Sequence, residues 1–443
     1  LTTYKLRDWL ISRQRYWGCP IPIIHCKKCG VIPVRKSDLP VELTNDINQS
    51  NKDTSLENTN NQSFKICCPK CNGDAYRETD TMDTFMCSSW YFLRFASYNN
   101  ETEPFSKEDV NKWLPVNQYV GGVEHAILHL LYARFITKVL NDRGKCSVNE
   151  PFSKLLTQGM VQGVTYKNLK TNKYIPNQSI KDKNNPIDPN SGERLHVVYE
   201  KMSKSKYNGV DPSLVIDKYG ADTARMFILF KAPPEKDLEW DDADVEGQYR
   251  FIQRLWRLFL RYGNEISFKS LNDTYDYLDL TPVEKNIRRA VHFAIKEITK
   301  DLSESNQFNT AISELMKLTN TLNDQLSSCR YKIKEEAFSI LVKLLAPLAP
   351  HISEEFWRKL GGEGSIHDQG WPIYDKKALV KDSFELVIQM NGKLRGNITL
   401  ENNMNDEDIK ELCLKSEVCK KWLAGKPPKR IILVKGKLIN IVY

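Results

Sequence analysis

Two Cys-x-x-Cys pairs constrain the fold of this chain more than any other feature of its sequence. Cys26 and Cys29 form the first pair, and Cys68 and Cys71 form the second. Such pairs can place four thiolates in a tetrahedron around Zn²⁺, because the short turn after each pair directs backbone N–H groups toward sulfur. We therefore predict a zinc site made of these four cysteines. Four free thiols, or a set in which Cys67 is a ligand, are the alternatives.

The segment that holds the two pairs is expected to fold as a zinc ribbon over residues 25–75. Residues 41–61 are rich in asparagine and other polar residues, which predicts a flexible excursion inside the ribbon. A zinc ion bound by four protein thiolates has no open position for a substrate. We therefore expect the metal to be structural.

The overall composition is that of a globular chain with a mild positive charge. The 443 residues carry a net charge of +8, with 41% hydrophobic and 27% charged residues, which favours several domains and, weakly, an anionic partner. The sequence contains no apolar run of membrane-spanning length and no signal-peptide pattern, so we expect a cytoplasmic protein without a membrane partner. The chain starts at Leu1 with a dense aromatic and arginine-rich stretch, and we expect it to be part of a longer protein.

A polar loop at residues 201–205 carries two lysines. It reads Lys-Met-Ser-Lys-Ser, so Lys201 and Lys204 are three residues apart and can bring two ammonium groups to the phosphates of a nucleotide. Asp211 and Pro212 then predict the start of a helix, with Asp211 as the N-cap and proline at the first helical position. By composition alone, an ordinary linker rich in lysine and serine is the alternative.

A second nucleotide-binding pattern covers residues 117–137. A strand-like stretch ends at Gly121 and Gly122 and a helix follows, which is the order of elements in doubly wound nucleotide-binding folds. This helix would place His125 and His129 one turn apart on one face. A metal site and an ordinary helix face are alternatives for the pair, although no carboxylate completes a catalytic zinc motif.

Helical periodicity dominates residues 245–360. Hydrophobic residues recur there every three or four positions, which predicts five amphipathic helices. The second of them should start at a capping box formed by Thr281 and Glu284, with Pro282 at its first position. Residues 4–18 are also compatible with a short helix.

The period changes from Phe384 onward. Apolar residues then alternate with polar ones, and Asn391–Gly392 is typical of a type I′ hairpin turn. A helix near Asn405–Leu414 and a second hairpin at residues 435–436 would complete a small α+β module. Its many lysines and arginines suit contacts with nucleic-acid phosphates, although such runs are usually a solvated face.

These motifs together resemble those of the class I aminoacyl-tRNA synthetases, and several resemble their leucine-specific branch. Three strings carry the leucine-specific resemblance: KMSKSKYNGVDP at 201–212, DTMDTFMCSSWY at 80–91 and VIQMNGKLRG at 387–396. SRQRYWGCPIP at 12–22 is similar to the segment by which the leucine, isoleucine and valine enzymes re-enter the catalytic domain after their editing insertion.

The resemblance implies roles for particular residues. Lys201 and Lys204 would stabilise the pentacovalent phosphorus and the departing pyrophosphate. The leucine side chain would be surrounded by Phe85, Ser88, Tyr91, Tyr119, His125 and His129. ATP and its adenosine would contact Gly122, Glu124, Gln158, Gly159, Met160, Val161, Met202, Ser203 and Ser205. The tRNA would be contacted by Arg13, Arg15, Lys393, Arg395, Lys429 and Arg430.

The fold class implied by the resemblance is multidomain. It combines an α/β Rossmann-type catalytic half that carries the zinc ribbon, an all-α anticodon-binding bundle and a small α+β C-terminal domain that binds tRNA. The expected domains are 1–24 (the return into the catalytic domain), 25–75 (the zinc ribbon), 76–235 (the catalytic half, with an insertion at about 165–200 and the lysine loop at 201–205), 240–375 (the bundle) and 383–443 (the C-terminal domain).

The activity implied is the charging of tRNA(Leu) in two steps. Leucine and ATP would form leucyl-adenylate with the help of Mg²⁺, and the leucyl group would then move to the 2′-hydroxyl of the terminal adenosine. The seven histidines do not form the family's His-Ile-Gly-His motif, so we expect this chain to need an N-terminal half that carries this motif and the editing domain, and the full-length enzyme to be a monomer. The alternative is a non-catalytic RNA-binding subunit or one half of a split synthetase.

Overall fold

The computed structural model describes residues 5, 8–43, 64–268, 279–380, 383–401, 404–434 and 436–443. The chain divides into two compact units. The first comprises Leu1–Gln162 and Pro234–Asp237, and the second comprises Gly163–Pro233 and Leu238–Tyr443. Most of the excursion predicted at residues 41–61 lies outside the described residues.

The first unit starts with short antiparallel strands. They are β1 (Ser12–Arg13), β2 (Ile23–Cys26), β3 (Gly30–Pro33), β4 (Lys65–Cys67), β5 (Asp74–Arg77) and β6 (Thr81–Met82). Four of them form one sheet in the order β3-β2-β5-β4, and β1 pairs with β6. The helix predicted over residues 4–18 is therefore wrong for the described residues from 8 onward, because pairing with residues 81–82 holds this stretch extended.

The rest of the first unit is a βαβ arrangement preceded by short helices. Its elements are α1 (Thr84–Ser88), α2 (Tyr91–Ala96), α3 (Lys107–Trp113), β7 (Tyr119–Gly122), α4 (His129–Asp142) and β8 (Leu155–Gln158). Strands β7 and β8 are parallel, and α4 connects them. The single helix predicted to carry His125 and His129 is wrong. His125 lies in a 3₁₀ turn, Val123–Ala126, and the non-helical backbone of Leu128 separates that turn from α4.

The second unit begins with strands and two helices around the lysine loop. They are β9 (Val161–Asn168), β10 (Lys173–Ile175), β11 (His196–Lys201), α5 (Pro212–Tyr219), α6 (Ala221–Lys231) and β12 (Leu238–Glu239). The sheet order is β10-β9-β11, with β12 also paired to β9. The predicted N-cap is confirmed, because the Asp211 carboxylate accepts a hydrogen bond from the Ser213 N–H at 2.9 Å.

Five longer helices follow in the second unit. They are α7 (Asp242–Tyr262), α8 (Pro282–Lys300), α9 (Phe308–Gln325), α10 (Tyr331–Leu345) and α11 (Pro350–Lys359). They share one apolar core that includes Leu255, Ile295, Leu315, Phe338 and Phe356. None of the described helices is both long and apolar enough to cross a membrane.

Glu284 joins two of these helices from a buried position. Its carboxylate accepts hydrogen bonds from the Arg330 guanidinium at 2.8 and 2.9 Å and from the backbone N–H groups of Arg330 and Thr281, each at 3.0 Å. The Thr281 hydroxyl accepts from the Glu284 N–H at 3.3 Å, so the predicted capping box is confirmed. These donors, Arg330 foremost, lower the pKa of Glu284 to about 2.

Substituting Glu284 by glutamine is expected to lower the free energy of unfolding of the helical region by about 2 to 3 kcal/mol at pH 7. A carboxyl whose pKa falls on folding stabilises the folded state fully above its unfolded value, near 4.5, and loses that contribution as the pH falls toward 2. The difference between variant and wild type should therefore shrink between pH 4.5 and 2 in urea titrations. Glu314→Gln, which removes a pair with the exposed Lys317, should cost less than about 0.5 kcal/mol. A pH-independent difference for Glu284→Gln would contradict the assignment.

The C-terminal module is a four-stranded sheet with two helices. It consists of β13 (Ser383–Met390), β14 (Lys393–Glu401), α12 (Asp406–Lys415), α13 (Glu417–Leu423), β15 (Arg430–Val434) and β16 (Leu438–Val442), with the sheet order β14-β13-β16-β15. Asn391 and Gly392 both have positive φ, 51° and 77°, as the predicted hairpin turn requires. The second hairpin is also present, although Lys435 in its turn lies outside the described residues. Helix α13 and the parallel pairing of β13 with β16 were not predicted.

Candidate active site

A cluster of rings around His129 occupies the start of α4. The centroids of Phe85, Tyr91, Tyr119 and His125 lie 6.2, 6.0, 5.7 and 6.3 Å from that of His129. The backbone carbonyl of Ser88 also reaches this ring, at 2.9 Å from His129 Nε2. The structure thus brings together all six residues that the motifs suggest for an amino-acid pocket.

The hydrogen bonds of His129 fix its tautomer. A carbonyl can only accept, so Nε2 carries the proton that is donated to the Ser88 oxygen. The other nitrogen, Nδ1, lies within hydrogen-bonding distance of the Tyr119 hydroxyl, at 3.1 Å. His129 is only 6% exposed, and burial raises the pKa of both Tyr91 and Tyr119. The result is an aromatic environment in which both ring nitrogens of His129 have a partner, whereas Nδ1 of His125 is buried without one.

The helix that carries Phe85 and Ser88 is held at its first turn by a carboxylate. Asp83, 8% exposed, caps α1 by accepting from the Phe85 N–H at 2.8 Å. The Arg13 guanidinium pairs with this carboxylate, and Arg15 donates to the Thr84 hydroxyl at 2.7 Å. Arg13 and Arg15, two of the residues suggested for tRNA contacts, therefore position the helix of the pocket. Sequence reasoning missed Asp83, although its place directly before Thr84 and Phe85 is an N-cap signal.

The two glycines of β7 allow side chains to lie against the strand. A Cβ on Gly121 would meet the Tyr119 ring at 2.9 Å, and a Cβ on Gly122 would meet the Glu124 carboxylate at 2.4 Å. Both distances are too short for a methyl group. The glycines thus keep Tyr119 and the Glu124 carboxylate close to the backbone.

The stretch suggested for adenine, Gln158–Val161, is bound to the segment at 234–237. The Gly159 N–H donates to the Pro234 carbonyl, and the Met160 N–H donates to Asp237, each at 2.8 Å. A Cβ on Gly159 would lie only 2.0 Å from the Lys236 carbonyl oxygen. A base at this stretch would therefore use groups other than these two N–H donors. Asp237 was missed by sequence reasoning, because its partners are about 75 residues away.

The lysine loop folds into a 3₁₀ turn, Lys204–Lys206, that ends at Tyr207 with a positive φ of 54°. Lys201, Lys204 and Ser205 are exposed, and Met202 and Ser203 are half-buried. A cavity of about 710 Å³ lies beside Met202, Ser203 and Lys204. The loop therefore presents its two lysines at the surface of the second unit.

The four thiols converge as the spacing predicts. The sulfur atoms of Cys26, Cys29, Cys68 and Cys71 all lie within 4.8 Å of one another. The Cys29 N–H points at Cys26 Sγ and the Lys70 N–H at Cys68 Sγ, both at 3.4 Å. Cys67 is exposed and is not part of this group.

The pKa values of two thiols in the group are shifted in opposite directions. Burial of Cys68 opposes ionisation, but N–H groups of Cys71 and Lys70 outweigh it and lower the pKa of Cys68 to about 6. Hydrogen bonding to Cys71 and burial raise the pKa of Cys29 to about 12. Four adjacent thiolates therefore require a cation to neutralise them.

Basic residues of the C-terminal module are exposed. Lys393, Arg395, Lys429 and Arg430 all reach solvent, and the Arg395 guanidinium lies 3.7 Å above the ring of Trp422. The stacking holds Arg395 against α13 while its charge remains accessible.

Comparison with known proteins gives concordant family matches. Residues 3–183 and 199–241 match the model of tRNA synthetases class I (I, L, M and V), and residues 284–411 match that of the anticodon-binding domain of tRNA ligase. The leucine–tRNA ligase of Prochlorococcus marinus (strain MIT 9211) is 60% identical over 100% of this chain, and that of Synechococcus sp. (strain CC9605) is 59% identical over 99%.

A solved structure supports the same grouping. The crystal structure of the Agrobacterium radiobacter K84 agnB2 LeuRS–tRNA–LeuAMS ternary complex is similar to this chain, with a TM-score of 0.76 and 35% identity over 99% of the chain. The chain spans 51% and 50% of the two curated relatives and 52% of the crystallised protein.

Proposed function

This chain belongs to the class I tRNA synthetases (I, L, M and V), and we propose its function from that membership. It combines the mixed α/β catalytic fold of that class with an anticodon-binding domain. We infer that it is part of a leucine–tRNA ligase, and that it supplies the amino-acid pocket, the lysine loop and surfaces for tRNA. The observation that carries the proposal is the convergence of Phe85, Tyr91, Tyr119 and His125 on the buried ring of His129.

The ring cluster suits a branched aliphatic side chain. Its rings offer apolar walls, and the polar atoms of His129 are taken up by Tyr119 and Ser88, so none of them requires a polar partner from the substrate. Selection would therefore rest on shape, which distinguishes side chains by only about 1 to 3 kcal/mol per methylene. Discrimination this weak explains why an enzyme of this kind would also carry an editing domain.

The lysines would act on the phosphates of ATP. In the first step a carboxylate oxygen of leucine attacks the α-phosphorus, the bond to the bridging oxygen breaks, and pyrophosphate leaves. The ammonium groups of Lys201 and Lys204 would neutralise the charge that develops on the phosphoryl oxygens. In the second step the 2′-hydroxyl of the terminal adenosine of tRNA(Leu) attacks the leucyl carbonyl carbon, and AMP leaves.

The adenosine would lie against the glycines of β7 and the end of β8. Gly122 and Gly159 lie at these two positions, and Glu124 would present a carboxylate to ribose hydroxyls. Met202, Ser203 and Ser205 would complete the contacts with ATP. Mg²⁺ would arrive bound to the ATP phosphates, whose charge it would help to neutralise.

The four-cysteine group fits a structural zinc ion, held by thiolates whose backbone N–H partners are already in place. We expect purified protein to contain about one equivalent of zinc, measured by elemental mass spectrometry after purification without chelators. Cys71→Ser should reduce this at least tenfold, because three thiolates and a weak hydroxyl replace four thiolates. The matched control, Cys67→Ser, should retain the metal. Less than half an equivalent in wild type, or loss of zinc in Cys67→Ser, would contradict the ligand set.

The tRNA contacts are proposed from exposed charge. Lys393, Arg395, Lys429 and Arg430 would contact phosphates, and Arg13 and Arg15 would contact tRNA in addition to holding α1. The crystallised LeuRS that resembles this chain was solved with tRNA, which supports the same partner here.

A further polypeptide portion is proposed to cover the βαβ arrangement of the first unit. Parallel strands are normally buried on both faces, whereas Val120 on β7 is 56% exposed and Ile127 and Phe135 around α4 are 75% and 55% exposed. We propose that the remainder of the enzyme, with its His-Ile-Gly-His motif and editing domain, packs there. Leucine-dependent exchange of pyrophosphate into ATP by the assembled enzyme tests the whole proposal; RNA binding without any such exchange would favour a non-catalytic RNA-binding subunit.

A further inference from the structure

One buried side chain bonds simultaneously to the middle of the lysine loop and to the strand before it. Asn208 is 1% exposed. Its Oδ1 accepts from the Ser203 N–H at 2.9 Å, inside the loop. Its Nδ2 donates to the Glu200 carbonyl at 3.0 Å, where β11 ends, and to the Thr165 hydroxyl at 2.9 Å on β9. The carbonyls of Gly163 and Lys201 lie further away, at 3.3 and 3.4 Å.

We propose that Asn208 is the positioning residue of the lysine loop, and that its carboxamide sets where Lys201 and Lys204 present their charges to the phosphates of ATP. Only the catalytic consequence of this proposal rests on the proposed function. A carboxamide suits this role because one rigid group carries both an acceptor and two donor hydrogens. The neighbouring residues hold the Asn208 side chain in this position.

The backbone of Asn208 is pressed against β9. A Cβ on Gly163 would lie 2.1 Å from the Asn208 carbonyl oxygen, so only glycine allows this approach. Tyr207, with its positive φ, reverses the chain just before it. The end of the loop is thereby fixed to the sheet.

Lys206 provides a second restraint. Its Nζ donates to the Glu200 carboxylate at 2.8 Å and lies 5.8 Å from the centroid of the Tyr174 ring. Lys206, directly after the loop, is thus held within the chain. The side chains of Lys201 and Lys204 are exposed. A backbone held at Ser203, Lys206 and Asn208 restricts where these two side chains can reach, which is how preorganised charge lowers a barrier.

The test compares Asn208→Ala with Thr165→Val, which removes one acceptor at nearly constant shape, and with the exposed control Asn185→Ala. Hydrogen exchange at the Ser203 amide of this chain is the first readout. We expect exchange at least 10-fold faster in Asn208→Ala, 3- to 10-fold faster in Thr165→Val, and unchanged in the control. The second readout is leucine-dependent pyrophosphate exchange by the assembled enzyme, where Asn208→Ala should lower kcat 10- to 100-fold and leave KM for leucine within twofold.

Wild-type protection of the Ser203 amide together with wild-type kcat in Asn208→Ala would overturn the proposal. If Asn208→Ala fails to fold, Thr165→Val decides, and wild-type amide exchange in that folded variant would overturn it equally. If the wild-type assembly shows no pyrophosphate exchange, the proposed function fails, while faster exchange at Ser203 in the variants would still support the positioning role.

Discussion

Lys204→Ala is expected to lower leucine-dependent pyrophosphate exchange by 10²- to 10³-fold in the assembled enzyme. Loss of one preorganised charge directed at a developing anion typically costs this much. Because the charge is needed in the transition state rather than for binding, the loss should appear in kcat, with KM for leucine nearly unchanged. The measurement is the incorporation of labelled pyrophosphate into ATP at saturating leucine.

Two matched lysine variants separate charge from position. Lys206→Ala removes the same charge from the same loop, but Lys206 is bound to Glu200, so its loss should cost less than about tenfold. Lys181→Ala, at an exposed site of the insertion, should have no effect. If Lys204→Ala kept activity within threefold of wild type, with the Ser203 amide still protected, the assignment of Lys204 to the phosphates would be wrong.

The parts of the fold that could be predicted depend on short-range chemistry. Helix caps and hairpin turns involve residues only two or three positions apart, so they can be predicted from the sequence. The examples here are Asp211, the Thr281–Glu284 box and Asn391–Gly392. The non-helical stretch at residues 12–22 is different. Two hydrogen bonds hold it in place. The Thr81 hydroxyl donates to the Arg15 carbonyl, and the Met82 N–H donates to the Cys19 carbonyl, each at 2.7 Å. Partners more than sixty residues away determine that conformation, so the local hydrophobic periodicity of the sequence cannot predict it.

The candidate site divides in the same way. The motifs suggested the six residues of the ring cluster, and the spacing of the cysteines suggested the thiol group. Asp83, Asp237 and Asn208 hold the site but were not identified from the sequence, although Asp83 and Asn208 lie inside the motif strings at 80–91 and 201–212. Their partners, such as Arg13, Met160 and Thr165, are 43 to 77 positions away. A motif indicates which segment forms the site, whereas the geometry shows which of its residues support the others.

This chain alone is expected to catalyse leucine-dependent pyrophosphate exchange at less than about one-thousandth of the rate of the assembled enzyme. Transfer at phosphorus depends almost entirely on positioning and charge neutralisation, and donors that act as a unit lose most of their effect when some are removed. The seven histidines of this chain include no His-Ile-Gly-His motif, so the lysines would act without the histidines that the proposal places in the remainder of the enzyme.

Adding that remainder as a separate polypeptide should restore exchange at least 10³-fold, because the exposed apolar residues Val120, Ile127 and Phe135 offer a surface on which it can assemble.

Ile127→Asp should weaken the assembly and raise the concentration needed for half-maximal activity at least tenfold, since it would bury a charge in the contact. Leu169→Asp, at another exposed apolar residue in the second unit, is the matched control and should leave that concentration unchanged. Leucine should support exchange only about 10- to 200-fold better than valine, the limited discrimination expected of a pocket that selects by shape. A normal synthetase rate from the chain alone would refute the need for a second portion. Tight tRNA binding by a mixture that never exchanges pyrophosphate would instead assign the chain to RNA binding without catalysis.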